Sequence, residues 1–254
     1  MTRQFATRNL RFYLTAPSAC PYLPGRKERK VFTGLDGPDA ASVNDSLTHA
    51  GFRRSQNIAY RPACDDCEAC VSARVVVGQF EPHRRWRKIL QRNADITRHL
   101  RPGEATEEQF WLLRRYLLSR HGEGGMADMT LLDYAAMIEE TAVKTHIVEY
   151  RYGEGADKGE LAGCALVDVL RDGISLVYSF FDTRDARRSL GSYLILDHIR
   201  QAQAAGFPHL YLGYWVRGSE KMAYKAQFQP IELLRGGAWR AFEDTEHGEN
   251  ISED

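Results

Sequence analysis

Residues 160–182, ELAGCALVDVLRDGISLVYSFFD, decide the fold, because they hold two apolar runs joined by a tight turn. Both runs are rich in Val, Ile, Leu and aromatic residues, which favour strands over helices of the same length. The Asp172-Gly173 pair between them is a strong signal for a hairpin turn. The sequence therefore predicts an antiparallel hairpin of strands at 160–170 and 174–182.

Helical and strand patterns on both sides of this hairpin predict an α+β region. Upstream, Thr106-Glu-Glu-Gln109 has the spacing of a capping box, which opens a helix over QFWLLRRYLLSR that we expect to end at Gly122. The other predicted elements are a helix at 130–143, a strand at 145–152, a helix at 189–205, a strand at 208–215, a helix at 219–228 and a strand at 230–234. The predicted order is two helices, an antiparallel meander, then helix, strand, helix and strand.

The uneven distribution of charge supports a division into domains. The net charge is zero, but residues 1–101 hold 18 Lys and Arg against 9 Asp and Glu. This irregular region, rich in Pro, Gly and Cys, predicts a small basic N-terminal domain, followed by a regular domain at 102–242. The acidic residues 243–254 predict a disordered tail. A basic half on a neutral protein indicates either a polyanionic partner, most commonly nucleic acid, or a solvated basic surface.

The sequence contains no segment that predicts secretion or membrane insertion. The first residues include Arg3, Arg8 and Arg11 but lack the apolar core of a signal peptide. No apolar run approaches the ~18 residues that a membrane-spanning helix needs. We therefore expect a cytoplasmic protein with no membrane partner, in which cysteines stay reduced and more often bind metal than form disulfides.

The predicted element order resembles that of the GNAT acyltransferases. Those enzymes hold the coenzyme A pyrophosphate on a Q/R-x-x-G-x-G/A loop that precedes the helix after the meander. The nearest match here is Arg188-Ser-Leu-Gly191-Ser-Tyr193. The bulky Tyr193 replaces a small residue, and we expect it to obstruct the approach of a phosphate to the backbone. A GNAT-like core is therefore predicted, with an acyl donor other than acetyl-coenzyme A.

Three stretches closely resemble the aminoacyl-tRNA–protein transferases of the N-degron pathway, and among these the bacterial aspartate/glutamate leucyltransferases. They are FYLTAPSACPYLPGRKERKVF (12–32), GFRRSQNIAYRPACDDCEACVSARV (51–75) and YLGYWVRGSEKMAYKAQFQP (211–230). The resemblance implies a GNAT-like C-terminal domain preceded by a smaller cysteine-bearing domain. It also implies transfer of leucine from leucyl-tRNA to proteins that begin with Asp or Glu, with no cofactor in the transfer chemistry. The alternatives are an arginyl-tRNA–protein transferase, an acetyl-coenzyme A-dependent acetyltransferase and a non-catalytic, cysteine-rich protein that binds nucleic acid.

The segment Lys221-Met-Ala-Tyr224-Lys225 supplies the first candidate catalytic residues. Positions i, i+3 and i+4 share one face of a helix, so the two lysines and the tyrosine are predicted to lie together. Lys221 falls in the first helical turn, where a lysine suits an anion brought by a ligand, such as a tRNA phosphate or a developing 3′ oxyanion. The alternative is an ordinary solvated face.

Two further candidates lie at strand ends. Strict alternation along the strand at 208–215 places Tyr211 and Tyr214 on opposite faces, and Tyr214 is the better candidate for the pocket wall. Asp182, at the end of the second hairpin strand, could orient or deprotonate the acceptor amine, although a turn-capping role explains it more simply.

Basic residues of the N-terminal region are the candidate substrate-binding residues. An acidic acceptor side chain is best held by an arginine, and Arg53 and Arg54 are candidates either for that carboxylate or for a tRNA phosphate. The RRWRK segment (84–88) predicts contact with a nucleic-acid backbone, with an aromatic ring that stacks or packs in the core. Its candidate residues are Arg84, Arg85, Trp86 and Lys88.

Four cysteines form a candidate metal site. Cys64, Cys67 and Cys70 have the spacing C-x2-C-x2-C, and Cys20, followed by proline, supplies a fourth thiol. Four thiolates suit tetrahedral zinc or a [4Fe–4S] cluster, and the distant Cys-Pro is more typical of a cluster. The family resemblance also allows a metal-free protein with reduced thiols. Cys164 lies in an apolar strand and is expected to be buried.

Overall fold

The computed structural model of the 254-residue chain describes residues 10–120 and 128–243. The strands before the first long helix are β1 (Tyr13–Leu14), β2 (Ser18–Ala19), β3 (Lys27–Glu28) and β4 (Lys30–Gly34). The remaining strands are β5 (Arg53–Ser55), β6 (Ile58–Pro62), β7 (Cys70–Val76), β8 (Ile96–Pro102), β9 (Thr145–Tyr152), β10 (Leu161–Leu170), β11 (Gly173–Phe181), β12 (His209–Val216), β13 (Ile231–Arg235) and β14 (Ala238–Ala241). The helices are α1 (Ala40–His49), α2 (Arg84–Arg92), α3 (Glu107–Arg120), α4 (Leu131–Glu139), α5 (Leu190–Ala204) and α6 (Glu220–Ala223).

An eight-stranded mixed sheet forms the centre of the structure, in the order β14-β13-β7-β12-β11-β10-β9-β8. The predicted hairpin is present, and its register places Leu170 opposite Gly173. Helix α5 connects β11 to β12, which makes these two neighbours the parallel pair of the sheet. The predicted α+β class is confirmed, and the meander is followed, as predicted, by a helix and a further strand of the same sheet.

Two apolar cores cover the faces of this sheet. On one face, α5 packs with Trp86 and Ile89 of α2 and with sheet residues such as Val75 and Leu212. A second core joins α3 and α4 to strands β9, β10 and β11 through residues such as Leu113 and Phe180. The predicted capping box opens α3, since the backbone N–H of Gln109 donates to Thr106 Oγ1 at 3.2 Å and the backbone N–H of Thr106 donates to Gln109 Oε1 at 3.1 Å.

A separate four-stranded sheet, in the order β1-β4-β6-β5, packs with α1 around a third core that includes Leu35, Leu47 and Phe52. The chain does not divide cleanly at residue 101, however. Strand β7 inserts between β12 and β13, and β8 forms the far edge of the same sheet. The predicted N-terminal domain therefore contributes two strands to the central sheet, because pairing between distant segments decides sheet membership.

Polar contacts fasten the N-terminal sheet to the β10–β11 hairpin. The side chain of Arg54 is buried and donates to both carboxylate oxygens of Asp168, at 2.6 and 2.8 Å. At the hairpin turn, Asp172 accepts from His49 at 2.9 Å and from His209 at 2.9 Å. These contacts hold the two sheets in one fixed arrangement, which positions the residues described below.

One predicted helix is shorter than expected, and two other predicted features lie outside the described residues. The predicted helix at 219–228 is only four residues of α-helix, and it continues as a tighter 3₁₀ turn at Tyr224–Gln227. The predicted helix end at Gly122 lies outside the described residues, as does the predicted tail beyond Glu243. Across the described ranges, none of the helices has both the length and the apolar character that a bilayer crossing needs.

Candidate active site

Strands β11 and β12 separate along their length and leave a gap in the central sheet. They pair in parallel only at Gly173–Ser175 with His209–Tyr211, whereas both strands continue well beyond these positions. Backbone groups along the inner edges of the gap are therefore free to bind side chains or substrate. Ligand sites in sheets of this kind lie at the carboxyl ends of parallel strands, where the topology changes. This gap is the candidate active site.

A β-bulge in β12 shapes one wall of the gap. Tyr211 lies opposite Arg74 and Tyr214 lies opposite Ser72, because the register shifts by one residue between Tyr211 and Gly213. Residues two apart on β7 share a face, so Tyr211 and Tyr214 also share a face. The prediction that these tyrosines lie on opposite faces is wrong, since strict alternation does not hold through a bulge.

Arg53 of the N-terminal sheet reaches across the gap. Its Nη2 donates to the carbonyl oxygen of Val177 on β11 at 2.8 Å, and its guanidinium lies 5.7 Å from the centre of the Tyr214 ring. Gly213 makes room for it on β12, because a Cβ at that position would lie 2.4 Å from Arg53 Cζ. Among the described residues no carboxylate forms an ion pair with Arg53, so its charge can meet a carboxylate from a substrate.

Arg54 lies close in sequence but is differently placed. Besides its two bonds to Asp168, it donates to the carbonyl oxygen of Gln56 at 2.8 Å and to Thr145 Oγ1 at 3.1 Å. Its bonds to Asp168 and Thr145 join the N-terminal sheet to the central sheet. The structure therefore separates the two candidate arginines and leaves Arg53 facing the gap.

The Lys221-Met-Ala-Tyr224-Lys225 segment does not present one shared face. Lys221 is exposed and Tyr224 is 42% exposed, whereas Lys225 is only 5% exposed. The segment changes from α-helix to a 3₁₀ turn at Tyr224, so α-helical spacing does not hold through Lys225. The prediction of a common face is wrong for Lys225, which instead donates from Nζ to the carbonyl oxygen of Tyr214 at 2.6 Å.

The electrostatic environment of Lys225 disfavours its charged form. Burial, followed by the nearby guanidinium of Arg53, lowers the pKa of Lys225 well below its ordinary value. None of the carboxylates in the described ranges offsets these two effects at Lys225. The gap therefore contains one permanent cation, Arg53, beside an amine that favours the neutral state.

Tyr214 and Asp182 are both held by other protein groups. Tyr214 Oη lies 3.1 Å from the carbonyl oxygen of Gly51 and 3.0 Å from that of Tyr60, and burial raises the pKa of Tyr214. Burial opposes ionisation of Asp182, but hydrogen bonds from Arg184 outweigh it and lower the pKa of Asp182.

The Asp182 carboxylate accepts from Arg184 Nε at 2.8 Å and from Tyr152 Oη at 3.1 Å. It also accepts from the backbone N–H of Arg184 at 3.0 Å, as a turn-capping aspartate does. These bonds agree with the turn-capping role that the sequence also predicted for Asp182.

The four cysteines of the C-x2-C-x2-C and Cys20 segments lie beside this wall and are all free thiols. Burial, and then the nearby thiols of Cys20, Cys67 and Cys64, raise the pKa of Cys70 to about 12. Cys70 begins β7 and lies opposite Val216, two residues beyond Tyr214 on β12, so the thiols adjoin the wall of the gap.

Four thiols are a suitable donor set for zinc or an iron–sulfur cluster, but their spacing is looser than one ion requires. Among the described residues, the one set of three or more metal-ligating side chains with all ligand atoms within 4.8 Å of one another is Asp45, His49 and Asp172. The four thiols are therefore suitable metal ligands by their chemistry, but they are not arranged closely enough to share one ion. Metal binding at the cysteines stays a prediction.

Helix α2 presents a basic face beside the Tyr224–Gln227 turn and Phe228. Its residues Arg84, Arg85 and Lys88 are exposed, whereas Trp86 is 1% exposed and stacks on Phe228 at 4.7 Å. The structure thus assigns Trp86 to the core and removes it from the candidate binding residues. An open groove of about 600 Å³ runs along this face.

The basic surface extends beyond the residues singled out from the sequence. Arg92 lines the groove and also an adjoining pocket that contains Arg187, just before α5. Arg85 also donates to Gln227 Oε1 at 2.7 Å, which links the basic face to the Tyr224–Gln227 turn. Only the tertiary packing of α2 against α5 brings Arg92 and Arg187 together, so the sequence carried no signal for this pair.

Tyr193 does not act as the sequence suggested. Its side chain is 7% exposed and packs in the core at 6.0 Å from the Tyr150 ring, so it does not obstruct the backbone of the preceding loop. A glycine is needed at position 191 because of Phe181, since a Cβ there would lie 2.8 Å from the aromatic ring. The physical reason given for excluding coenzyme A is therefore wrong.

Comparison with protein families places most of the chain in one family. Residues 18–88 match the N-terminal model of the arginine-tRNA-protein transferases, and residues 108–235 match the C-terminal model of the same family. The chain belongs to this family. Its relatives include an aspartate/glutamate leucyltransferase from Phenylobacterium zucineum, 64% identical over 94% of this chain and 93% of the relative. An aspartate/glutamate leucyltransferase from Caulobacter vibrioides is 61% identical over 98% of this chain and 89% of the relative.

Two solved structures resemble this member of the arginine-tRNA-protein transferase family more distantly. FemX matches with a TM-score of 0.47 at 8% identity, over 77% of this chain and 67% of that one. L-PGS from Bacillus licheniformis matches with a TM-score of 0.46 at 14% identity, over 69% of this chain and 59% of that one. Both scores lie below 0.5, so they assign neither a fold nor a function to this chain.

Proposed function

We propose that this protein transfers leucine from leucyl-tRNA to the N-terminal Asp or Glu of acceptor proteins. The observation that carries the proposal is Arg53, a guanidinium placed in the gap of an acyltransferase-like sheet with no carboxylate partner among the described residues. The names of relatives that are 55–64% identical support leucine as the transferred group. Arginine, the group named by the family model, is the alternative.

The reaction makes modest chemical demands on the protein. An aminoacyl ester is already activated, so the acceptor α-amine needs only to lose a proton and attack the carbonyl carbon. Holding both substrates in register supplies about 7–11 kcal/mol of the barrier reduction. No enzyme nucleophile or coenzyme A takes part in the proposed reaction, and the transfer chemistry requires no cofactor.

Arg53 is the proposed binding residue for the acceptor side chain. A guanidinium can hold a carboxylate through two parallel hydrogen bonds, which selects Asp and Glu over their neutral amides. Arg53 already donates from Nη2 to Val177, so the carboxylate would be met by its remaining N–H groups. Arg54 takes no part in this proposal, because its guanidinium is buried against Asp168.

The basic face of α2 is the proposed binding surface for the donor tRNA. Arg84, Arg85 and Lys88 point away from the core, and the groove beside them also contains Arg92. Phosphate contacts of this kind supply sequence-independent affinity. Arg85 donates to Gln227, which ends the turn that begins at the exposed Tyr224. In this proposal the 3′ end of the tRNA enters beside Tyr224 and the exposed Lys221, which lies one turn before Tyr224.

A reconstituted transfer assay tests the proposal. Purified protein is mixed with labelled leucyl-tRNA and peptides that begin with Asp, Glu, Asn or Gln, and parallel reactions contain arginyl-tRNA or acetyl-coenzyme A. We expect leucine on the Asp and Glu peptides alone. Acetyl transfer, or transfer from arginyl-tRNA only, would overturn the proposal.

Two arginine variants test the acceptor site within the same assay. Removing one partner of a buried charge pair costs about 2–5 kcal/mol, so Arg53→Met should lower kcat/KM for the Asp peptide by about 30-fold or more. The preference for Asp over Asn should be lost with it. Arg54→Met, in the fraction that folds, should retain that preference. Equal discrimination by wild type and Arg53→Met would remove Arg53 from the acceptor site.

A further inference from the structure

The proposed reaction needs a group that removes a proton from the acceptor α-ammonium, and the residues around the gap limit the choice. Arg53 is always charged and cannot accept a proton. Tyr214 is held between two carbonyl oxygens, and burial raises its pKa, so its phenolate does not form near neutral pH. The Asp182 carboxylate is already bound by Arg184 and Tyr152. Lys225 is the candidate base among the side chains that the gap itself contains, because the cysteine thiols lie beside its wall and burial raises the pKa of Cys70.

Lys225 has the placement that a base requires. It is nearly fully buried, and its Nζ is fixed by the bond of 2.6 Å to the carbonyl oxygen of Tyr214 on the wall of the gap. A neutral amine uses one N–H in that bond and keeps its lone pair for another partner. Burial without a carboxylate partner disfavours the ammonium form, and Arg53 adds repulsion.

We propose that Nζ of Lys225 is the general base that takes the proton from the acceptor α-ammonium group. This role rests on the proposed transfer function. The resulting neutral amine forms a C–N bond to the ester carbonyl carbon, and the C–O bond to the tRNA ribose breaks. Of the two hydrogens left on the nitrogen, one leaves as a proton to the departing ribose oxygen and one stays in the peptide bond. The lysine ammonium then releases its proton to solvent.

The position of Arg53 gives this base a further property. An acceptor carboxylate bound to Arg53 offsets the repulsion that this guanidinium exerts on the ammonium form of Lys225. Lys225 therefore becomes a stronger base when an acidic acceptor is in place. The same contact that selects Asp or Glu would also promote the removal of the proton.

Single-turnover kinetics with preformed leucyl-tRNA and a saturating Asp peptide test the role of Lys225. Lys225→Met keeps the length and burial of the side chain without the base, and should slow transfer by about 10²–10⁴-fold. Lys144→Met, an exposed lysine outside the gap, is the matched control and should retain the wild-type rate. Full activity of Lys225→Met in a preparation whose wild type transfers leucine would overturn the role of Lys225 alone. Absence of transfer by wild type would instead overturn the proposed function.

Chemical rescue separates catalysis from a structural role. Small primary amines added to Lys225→Ala should restore transfer in proportion to their unprotonated fraction. A folded, inactive variant that no amine restores would assign Lys225 to the structure and overturn the proposal.

A measurement on wild type covers the case in which both variants fail to fold. In ¹³C-lysine-labelled protein, one lysine should retain the Cε chemical shift of a neutral amine at pH 7. Ammonium-type shifts for every lysine at that pH would overturn the proposal.

Discussion

Gly213→Ala is the sharpest test of how the gap is built. Gly213 has φ of +73°, and an added Cβ would lie 2.4 Å from Cζ and 2.5 Å from Nε of Arg53. The left-handed backbone alone costs alanine about 1–2 kcal/mol. The guanidinium must also move, which breaks its bond to the Val177 carbonyl and adds about 1.5–3 kcal/mol for a charged hydrogen bond. We therefore expect a loss of about 2.5–5 kcal/mol in the free energy of unfolding.

Gly206→Ala is the matched control for this prediction. Gly206 has φ of +72°, and a Cβ there would meet nothing within 4 Å. Gly206→Ala should therefore lower the free energy of unfolding only by the cost of the left-handed backbone. Urea denaturation gives both stabilities, and transfer to Asp and Asn peptides gives acceptor selectivity. Only Gly213→Ala should lose the preference for Asp. If the two variants have equal stability and equal selectivity, the placement of Arg53 against Gly213 is refuted.

Four further predictions address other parts of the molecule. Arg54→Met removes the charged partner of the buried Asp168 carboxylate and should lower the free energy of unfolding by about 3–5 kcal/mol, as measured by urea denaturation. Lys88→Glu should weaken binding of leucyl-tRNA and reduce the salt slope of its affinity by about 1, with the acceptor KM unchanged. Anaerobically purified Cys20→Ser should contain less zinc or iron than wild type and should have a lower melting temperature. Cys164→Ser, which changes a buried strand thiol, should keep its metal content. Stable, active wild type without metal would contradict this prediction. Hydrogen bonds from Arg184 lower the pKa of Asp182 in the folded protein. The ionised carboxylate therefore stabilises the fold fully above about pH 4, and this stabilisation is lost on further acidification. The difference in the free energy of unfolding between wild type and Asp182→Asn should narrow below that pH.

Features set by neighbouring residues could be predicted from the sequence. The hairpin at Asp172-Gly173 and the capping box at Thr106 depend on turn and cap chemistry within a few positions. Both are present as predicted. The predicted order of helices and strands followed from the same local signals, and the quoted family segments pointed to the family to which the chain belongs.

Features set by distant residues could not be predicted in this way. The bulge between Tyr211 and Gly213 depends on pairing with β7, so alternation along β12 gave the wrong face. The difference between Arg53 and Arg54 depends on Val177 and Asp168, which lie more than a hundred positions along the chain. The burial of Lys225 likewise follows from its contact with Tyr214 and not from helical spacing.

The insertion of β7 between β12 and β13 has a consequence for folding during synthesis. Strand β7 ends at Val76, whereas its two partners begin at His209 and Ile231, so the central sheet cannot close until most of the chain has left the ribosome. At about 5–20 residues per second, this delay is on the order of ten seconds. During that interval the apolar edge of β7 is unpaired, and such high contact order slows folding and favours aggregation. We therefore expect nascent chains truncated before β12 to depend on chaperones, and a fragment that begins after β7 to lack a stable central sheet.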